Sequence, residues 1–179
     1  MSDELEDLRY PLGRWVPPAA AGAAQVSGWL DEIADAPARL RAAVEGLPEG
    51  QLDTAYRPGG WTVRQVVHHL ADSHVNVYTR FRLAMTEDEP AIRPYDEAAW
   101  AELDDARRGP IEASLQLIAA LHERWVRLAQ AISPDDLGRR YYHPELKPSV
   151  RLDEVLSSYA WHGRHDVAHI TGLRDRMGW

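Results

Sequence analysis

The chain has 179 residues, of which 45% are hydrophobic, including seven Trp and seven Tyr; this is enough for one domain with a sizeable core and argues against a disordered protein. Its formal net charge of −8 argues against a nucleic-acid partner, because binding a phosphate backbone needs a basic face. Cysteine is absent, so there is no disulfide, no thiolate metal ligand and no thiol nucleophile supplied by the protein itself.

In chain order, Met1 to Asp7 is acidic and lacks the basic-then-apolar order of a secretory signal, and no stretch approaches the roughly 18 apolar residues of a membrane span. The expected location is the cytoplasm. Residues 1–24, broken by Pro11, Pro17 and Pro18, read as an extended arm, and 25–179 as a single domain. Trp29, Leu30, Ile33, Leu40, Val44 and Leu47 mark a first helix, which Pro37 is expected to kink or split. Gly50 to Trp61 reads as a loop.

Thr62 and Gln65 have the spacing of a capping box and open a second helix, with Val63, Val66, Val67, Leu70, Val77 and Phe81 on its apolar stripe. Residues 87–109 form a long connection with one short turn around 97–103. A third helix opens at Pro110 and continues to Ile132, followed by a cap at Ser133 to Asp136. Tyr141 to Pro148 reads as irregular, and a fourth helix covers about 152–177. No segment alternates over enough residues to predict a sheet. The expected fold is therefore all-α: a four-helix bundle with long crossover connections and an extended N-terminal arm.

The fourth helix carries the chemistry. Leu152, Val155, Leu156, Tyr159, Ile170, Leu173 and Met177 define one apolar face, and that face passes over His162 and Asp166, with His169 at its edge. His162 and Asp166 stand at i and i+4 and are neighbours on the helix surface. Burying an imidazole and a carboxylate costs several kcal/mol unless compensated. A divalent cation is one compensator, and a buried His–Asp hydrogen bond without metal is the other. On the second helix, periodicity turns His74 inward, leaves His69 at the margin of the apolar face and puts His68 outside it. His122 falls on the third helix's stripe as a packed core histidine. His143 precedes Pro144 and so lies in extended chain, where it borders a pocket mouth. Arg64, Arg80, Arg93 and Arg124 lie near the polar-rich helices; an arginine in a pocket binds carboxylate or phosphate well, and the alternative for each is a solvated face.

The segment from Gly59 through Trp61, Arg64, His68, His69 and Asp72 to His74 resembles the second-helix signature of the YfiT-like branch of the DinB superfamily. The resemblance continues through Pro90–Asp96, Leu121-His122 with Arg124-Trp125, Tyr142-His143-Pro144, and Trp161 to Trp179. It implies a bundle of up-up-down-down type, usually a homodimer. It also implies a divalent metal, nickel or zinc, held by three histidines, in proteins labelled metal-dependent hydrolases. Relatives resemble S-transferases that join bacillithiol, a low-molecular-weight thiol, to electrophiles. The resemblance carries the metal ligands onto His69, His162 and Asp166, with His165, His169 and His68 as reserve ligands or supports. His143, Arg93 and Trp161 are candidates for lining a pocket.

Asp166 departs from the pattern, since a carboxylate stands where the family has its third histidine. Two histidines and one carboxylate suit Zn, Ni, Mn or Fe(II). The expected activity is a metal-dependent thiol transfer to a small-molecule electrophile. The alternatives are hydrolysis by bound water, and a non-catalytic bundle with a decayed site that binds a small ligand. Neither a nucleic acid nor a membrane is expected as partner.

Overall fold

A computed structural model describes residues 3–19, 21–145 and 147–179. Its helices are α1 (Asp3–Arg9), α2 (Ala23–Val44), α3 (Glu49–Leu52), α4 (Val63–Thr86), α5 (Glu97–Ala101), α6 (Asp104–Arg108), α7 (Glu112–Gln130) and α8 (Leu152–Met177). A 3-10 turn over Asp136–Gly138 and two strands, β1 (Arg140–His143) and β2 (Lys147–Arg151), precede α8. The four long helices α2, α4, α7 and α8 form the bundle. α2 packs on α7 and α8, and α4 packs on the same two, so α2 and α4 stand across the bundle from each other.

The capping box anticipated at Thr62 is present. Thr62 Oγ1 accepts from Gln65 N at 3.1 Å, and Gln65 Oε1 accepts from Thr62 N at 2.9 Å. Arg64, in the first turn of α4, is buried rather than solvated. Its guanidinium pairs with Asp53 at 2.7 Å and with Glu49, and donates to the Gly109 carbonyl at 2.9 Å. It ties α3 and the α6–α7 connection to the start of α4.

Four local expectations are corrected. The arm contains a helix, α1. Pro37 does not split α2, which continues for 22 residues with the proline inside. The proline removes one N–H, and the Ile33 carbonyl that would have accepted it takes a bond from His122 Nδ1 at 2.6 Å instead. Tyr141 to Pro148 is a hairpin: β1 pairs antiparallel with β2, with Tyr141 opposite Val150 and an irregularity between Tyr141 and His143. Strands of four and five residues are too short for their alternation to stand out in sequence. Met177, assigned to the buried face of the last helix, is 53% exposed because it lies in the final turn.

The buried apolar side chains form two clusters rather than one. The first gathers Leu30, Ile33, Val77, Phe81, Trp125, Leu156 and Ala160, among others. The second gathers Leu40, Val63, Val67, Leu70, Leu115, Ile118 and Ile170. On every bundle helix the gap between them holds a polar or helix-breaking residue: Pro37 on α2, His74 on α4, His122 on α7, and His162 and Asp166 on α8. Gly163 lets α8 approach α2 at this level, since a Cβ there would lie 3.2 Å from that of Ala36.

Because the Thr62 cap sets where α4 begins, and with it the placement of the α4 histidines, Thr62→Ala is expected to destabilise the fold by about 1 kcal/mol. A lower denaturant midpoint at unchanged m-value checks this, and an unmoved midpoint would refute it.

Candidate metal centre

Three side chains from two helices meet in the gap between the clusters. His69 comes from α4, and His162 and Asp166 from α8; one ligand atom of each lies within 4.8 Å of the others. Asp166 Oδ2 is 3.5 Å from His162 Nε2 and 4.0 Å from His69 Nε2. Donors bonded at about 2.1 Å to a tetrahedral ion stand about 3.4 Å apart, so the spacing is close to what one ion requires. His69 and Asp166 are buried, and His162 is partly open. Among the described residues, Asp166 Oδ2 accepts no hydrogen bond. A buried carboxylate oxygen without a donor, facing two imidazole nitrogens, fits a cation. The carboxylate is short compared with an imidazole, but its place one turn after His162 on the same helix gives it sufficient reach.

The protonation states also suit an ion. Burial pushes the His69 imidazole down to about 4, against the opposing pull of Asp166. Burial acts on Asp166 in the opposite sense, yet His162, His165, His69 and His169 together outweigh it and hold the carboxyl below the usual range. Neutral imidazole and ionised carboxylate are the forms that ligate.

The reserve residues divide. His165 and His169 form a second group with Asp166, buried and on the same face of α8. His165 Nδ1 lies 3.5 Å from Asp166 Oδ1, so the two carboxylate oxygens face different histidines. Tyr56 stacks on His169 at 4.0 Å between ring centres, and Trp161 stacks on His165 at 4.3 Å. His68, by contrast, is buried away from this group, with Nδ1 2.8 Å from Ser114 Oγ and Nε2 3.2 Å from the Gly109 carbonyl oxygen. It holds the start of α7, and the outward position read from periodicity is filled by the α6–α7 connection.

Two cavities open onto the triad. One of about 360 Å³ is walled by Tyr10, Tyr56, Trp61, His69, Asp166 and His169, with Arg9 and Arg57 among its lining residues. The other, about 750 Å³, is walled by Trp15, Ser73, Arg80, Tyr95, His143 and Tyr159. Trp161, His162 and Glu97 line both. His143 is thus at a pocket wall, placed by the hairpin and by bonds tying Tyr142 to Pro90 and Ile92 at 3.0 and 3.1 Å. Arg93 is not. Extended chain alternates, so Ile92 turns inward and Arg93 outward, and Arg80 lines the cavity while donating to the Arg93 carbonyl at 3.3 Å. The arm's contribution went unread in the sequence: Arg9, Tyr10 and Trp15 line the cavities, and Trp15 Nε1 donates to Ser157 Oγ at 3.2 Å.

The model of the DinB superfamily matches residues 32–170. The chain belongs to the DinB superfamily. Among superfamily relatives, "Putative metal-dependent hydrolase YfiT" of Bacillus subtilis (strain 168) is 48% identical over 173 residues, covering 97% of each chain. A protein of Bacillus mycoides (strain KBAB4), also named a "Putative metal-dependent hydrolase", is 48% identical over 175 residues, 98% of this chain and 100% of its own length. The solved structure of the Bacillus subtilis protein, described as a probable metal-dependent hydrolase with an unusual four-helix bundle topology, superposes with a TM-score of 0.95 over 97% of this chain and 99% of that one. The superfamily bundle is therefore the fold of this chain.

Two outcomes follow from the site. Asp166→Ala, which removes the anionic donor, and His69→Ala are each expected to lower zinc affinity at least ten-fold in a competition titration. Retention of wild-type affinity by both would show that the triad is not the binding site. In metal-free protein, burial pushes His122 down to about 4 from an ordinary value near 6.5, and His69 moves the same way. The unfolded chain thus binds more protons between those values. This contribution to stability is complete above about pH 6.5 and is lost as pH falls toward 4. The thermal midpoint is expected to be lower at pH 5 than at pH 7; an equal midpoint would contradict it.

Proposed function

We propose that this protein is a metal-dependent enzyme that joins a small anionic thiol, of the bacillithiol kind, to an electrophilic small molecule. The observation that carries this reading is the meeting of two adjoining cavities at His162, Trp161 and Glu97. A reaction between two organic substrates needs two adjoining spaces, and the shared wall provides them. The metal-ligand set His69, His162 and Asp166 suits zinc, nickel, manganese or iron(II). When bound, such an ion supplies Lewis acidity that lowers the pKa of a nucleophile.

The chain's own residues supply the rest. Arg9 and Arg57 at the smaller cavity are suited to carboxylates on the thiol, since guanidinium pairs with them in bidentate fashion. Trp61 packs over His69 at 4.5 Å, and with Trp161 it screens the triad from bulk water. The larger cavity offers aromatic walls for the body of an electrophile, at Trp15, Tyr95 and Tyr159. Burial raises the pKa of the Tyr159 phenol, which keeps its proton and can donate to an oxygen that gains charge. Its hydroxyl oxygen lies 3.2 Å from that of Ser73 on the same wall.

The anionic ligand bears on the choice of nucleophile. Asp166 donates charge and weakens Lewis acidity, which disfavours water more than a thiol because a thiol needs less help to ionise. The names of the relatives favour the second reading, in which water is the nucleophile at the same triad.

Mass spectra of the products separate the two. With zinc-loaded protein and an electrophile, adduct formation is expected to rise with added thiol and to disappear with chelator. Products that carry only added water would assign the protein to hydrolysis. No turnover with either nucleophile, together with no metal uptake, would leave a bundle with a decayed site.

A further inference from the structure

The geometry points to His74 and His122 as positioning residues that fix the tautomer of His162, through a hydrogen-bonded chain that crosses all four bundle helices and starts at the carbonyl freed by Pro37. The inference rests on His162 being a metal ligand, as proposed above.

The chain runs through contacts of 2.6, 2.6 and 3.3 Å. His122 Nδ1 lies 2.6 Å from the Ile33 carbonyl oxygen, and His122 Nε2 lies 2.6 Å from His74 Nδ1. His74 Nε2 then lies 3.3 Å from His162 Nδ1. His74 and His122 are at most 1% exposed, and among the described residues neither ring pairs with a carboxylate. Charging either ring there would be costly, so each carries one proton.

One fixed point orders all of those protons. A carbonyl oxygen can only accept, so His122 Nδ1 bears its hydrogen and Nε2 holds the lone pair. His74 Nδ1 must then donate to His122, which leaves His74 Nε2 as acceptor. His162 Nδ1 donates to that acceptor, and the lone pair of His162 is left on Nε2. This is the nitrogen 3.5 Å from Asp166 Oδ2 and in the triad with His69. In the opposite order, a ring lone pair would face the carbonyl lone pairs at 2.6 Å, and His162 would aim an N–H at the site.

Pro37 explains why a carbonyl inside a helix can play this part. The Ile33 oxygen lacks the N–H that any other residue at position 37 would present to it. A metal-ligating imidazole ordinarily has its second nitrogen held by a carboxylate or a single backbone carbonyl. Here the carbonyl acts from α2 through two intervening rings on α7 and α4. The chain occupies the gap between the two apolar clusters, where among the described residues these rings bond only to one another, to His162 and to Ile33.

The test uses the full-length protein, metal-free and then titrated with zinc. Long-range nitrogen–carbon NMR correlations on metal-free protein are expected to place the proton on Nδ1 of His122, His74 and His162. His122→Phe, which fills the space but removes both bonds, is expected to weaken zinc binding about ten-fold and to populate the other tautomer of His162. His122→Gln, whose amide can donate to Ile33 and accept from His74, is expected to retain most of the affinity and the Nδ1–H form. A purely packing role predicts the reverse ranking, with the Phe variant binding zinc as well as wild type. An Nε2–H form of His162 in the wild-type protein would overturn the inference, even if His122→Phe failed to fold. Failure of wild-type protein to bind zinc counts against the metal reading itself and is separate from the tautomer pattern.

Discussion

Everything in this bundle is arranged around a polar layer in the middle of an apolar core. Each long helix interrupts its apolar face at the same level, and the interruptions meet. Buried imidazoles and a buried carboxylate have to find partners or shift out of their charged forms. The protein uses both answers. His74 and His122 stay neutral and bond to one another, with burial holding both imidazoles well below their ordinary range. Asp166 remains ionised and is surrounded by four histidines. Within this frame, a divalent ion would complete the triad and stabilise the layer that binds it.

The layer also explains features that look like defects when taken singly. A proline in the interior of a 22-residue helix is ordinarily disruptive, by about 3 kcal/mol. Here the carbonyl it releases finds a donor from another helix, so the loss is partly offset and the helix stays in one piece. Gly163, a poor helix former, lets α8 approach α2 beside that proline.

The bundle supplies the triad, and the short elements supply the space around it. The α1 segment and Trp15 cover one side, and the hairpin brings His143 to another. Tyr56 and the 57–60 turn close the smaller cavity over His169 and Trp61. Such a division separates what an ion needs, which is rigid helix geometry, from what a substrate needs, which is shape and charge at a rim.

The four long helices were legible because their apolar residues recur over 19 to 26 positions, and the Thr62–Gln65 cap was legible because its two bonds are local. Likewise, His162 and Asp166 could be paired from spacing alone, since one helix carries both. His69 could not: its periodicity put it at the margin of α4, and only family resemblance singled it out. The structure brings it to the pair because α4 and α8 pack together. The same limit hid the role of Arg80 in place of Arg93, the buried setting of His68, and the arm's return over the site. Local periodicity decided which residues face the core and which type of element they build. Which faces meet was decided only by tertiary packing: the contacts that join Ile33, His122, His74 and His162 span 48 to 89 positions along the chain and have no local pattern to announce them.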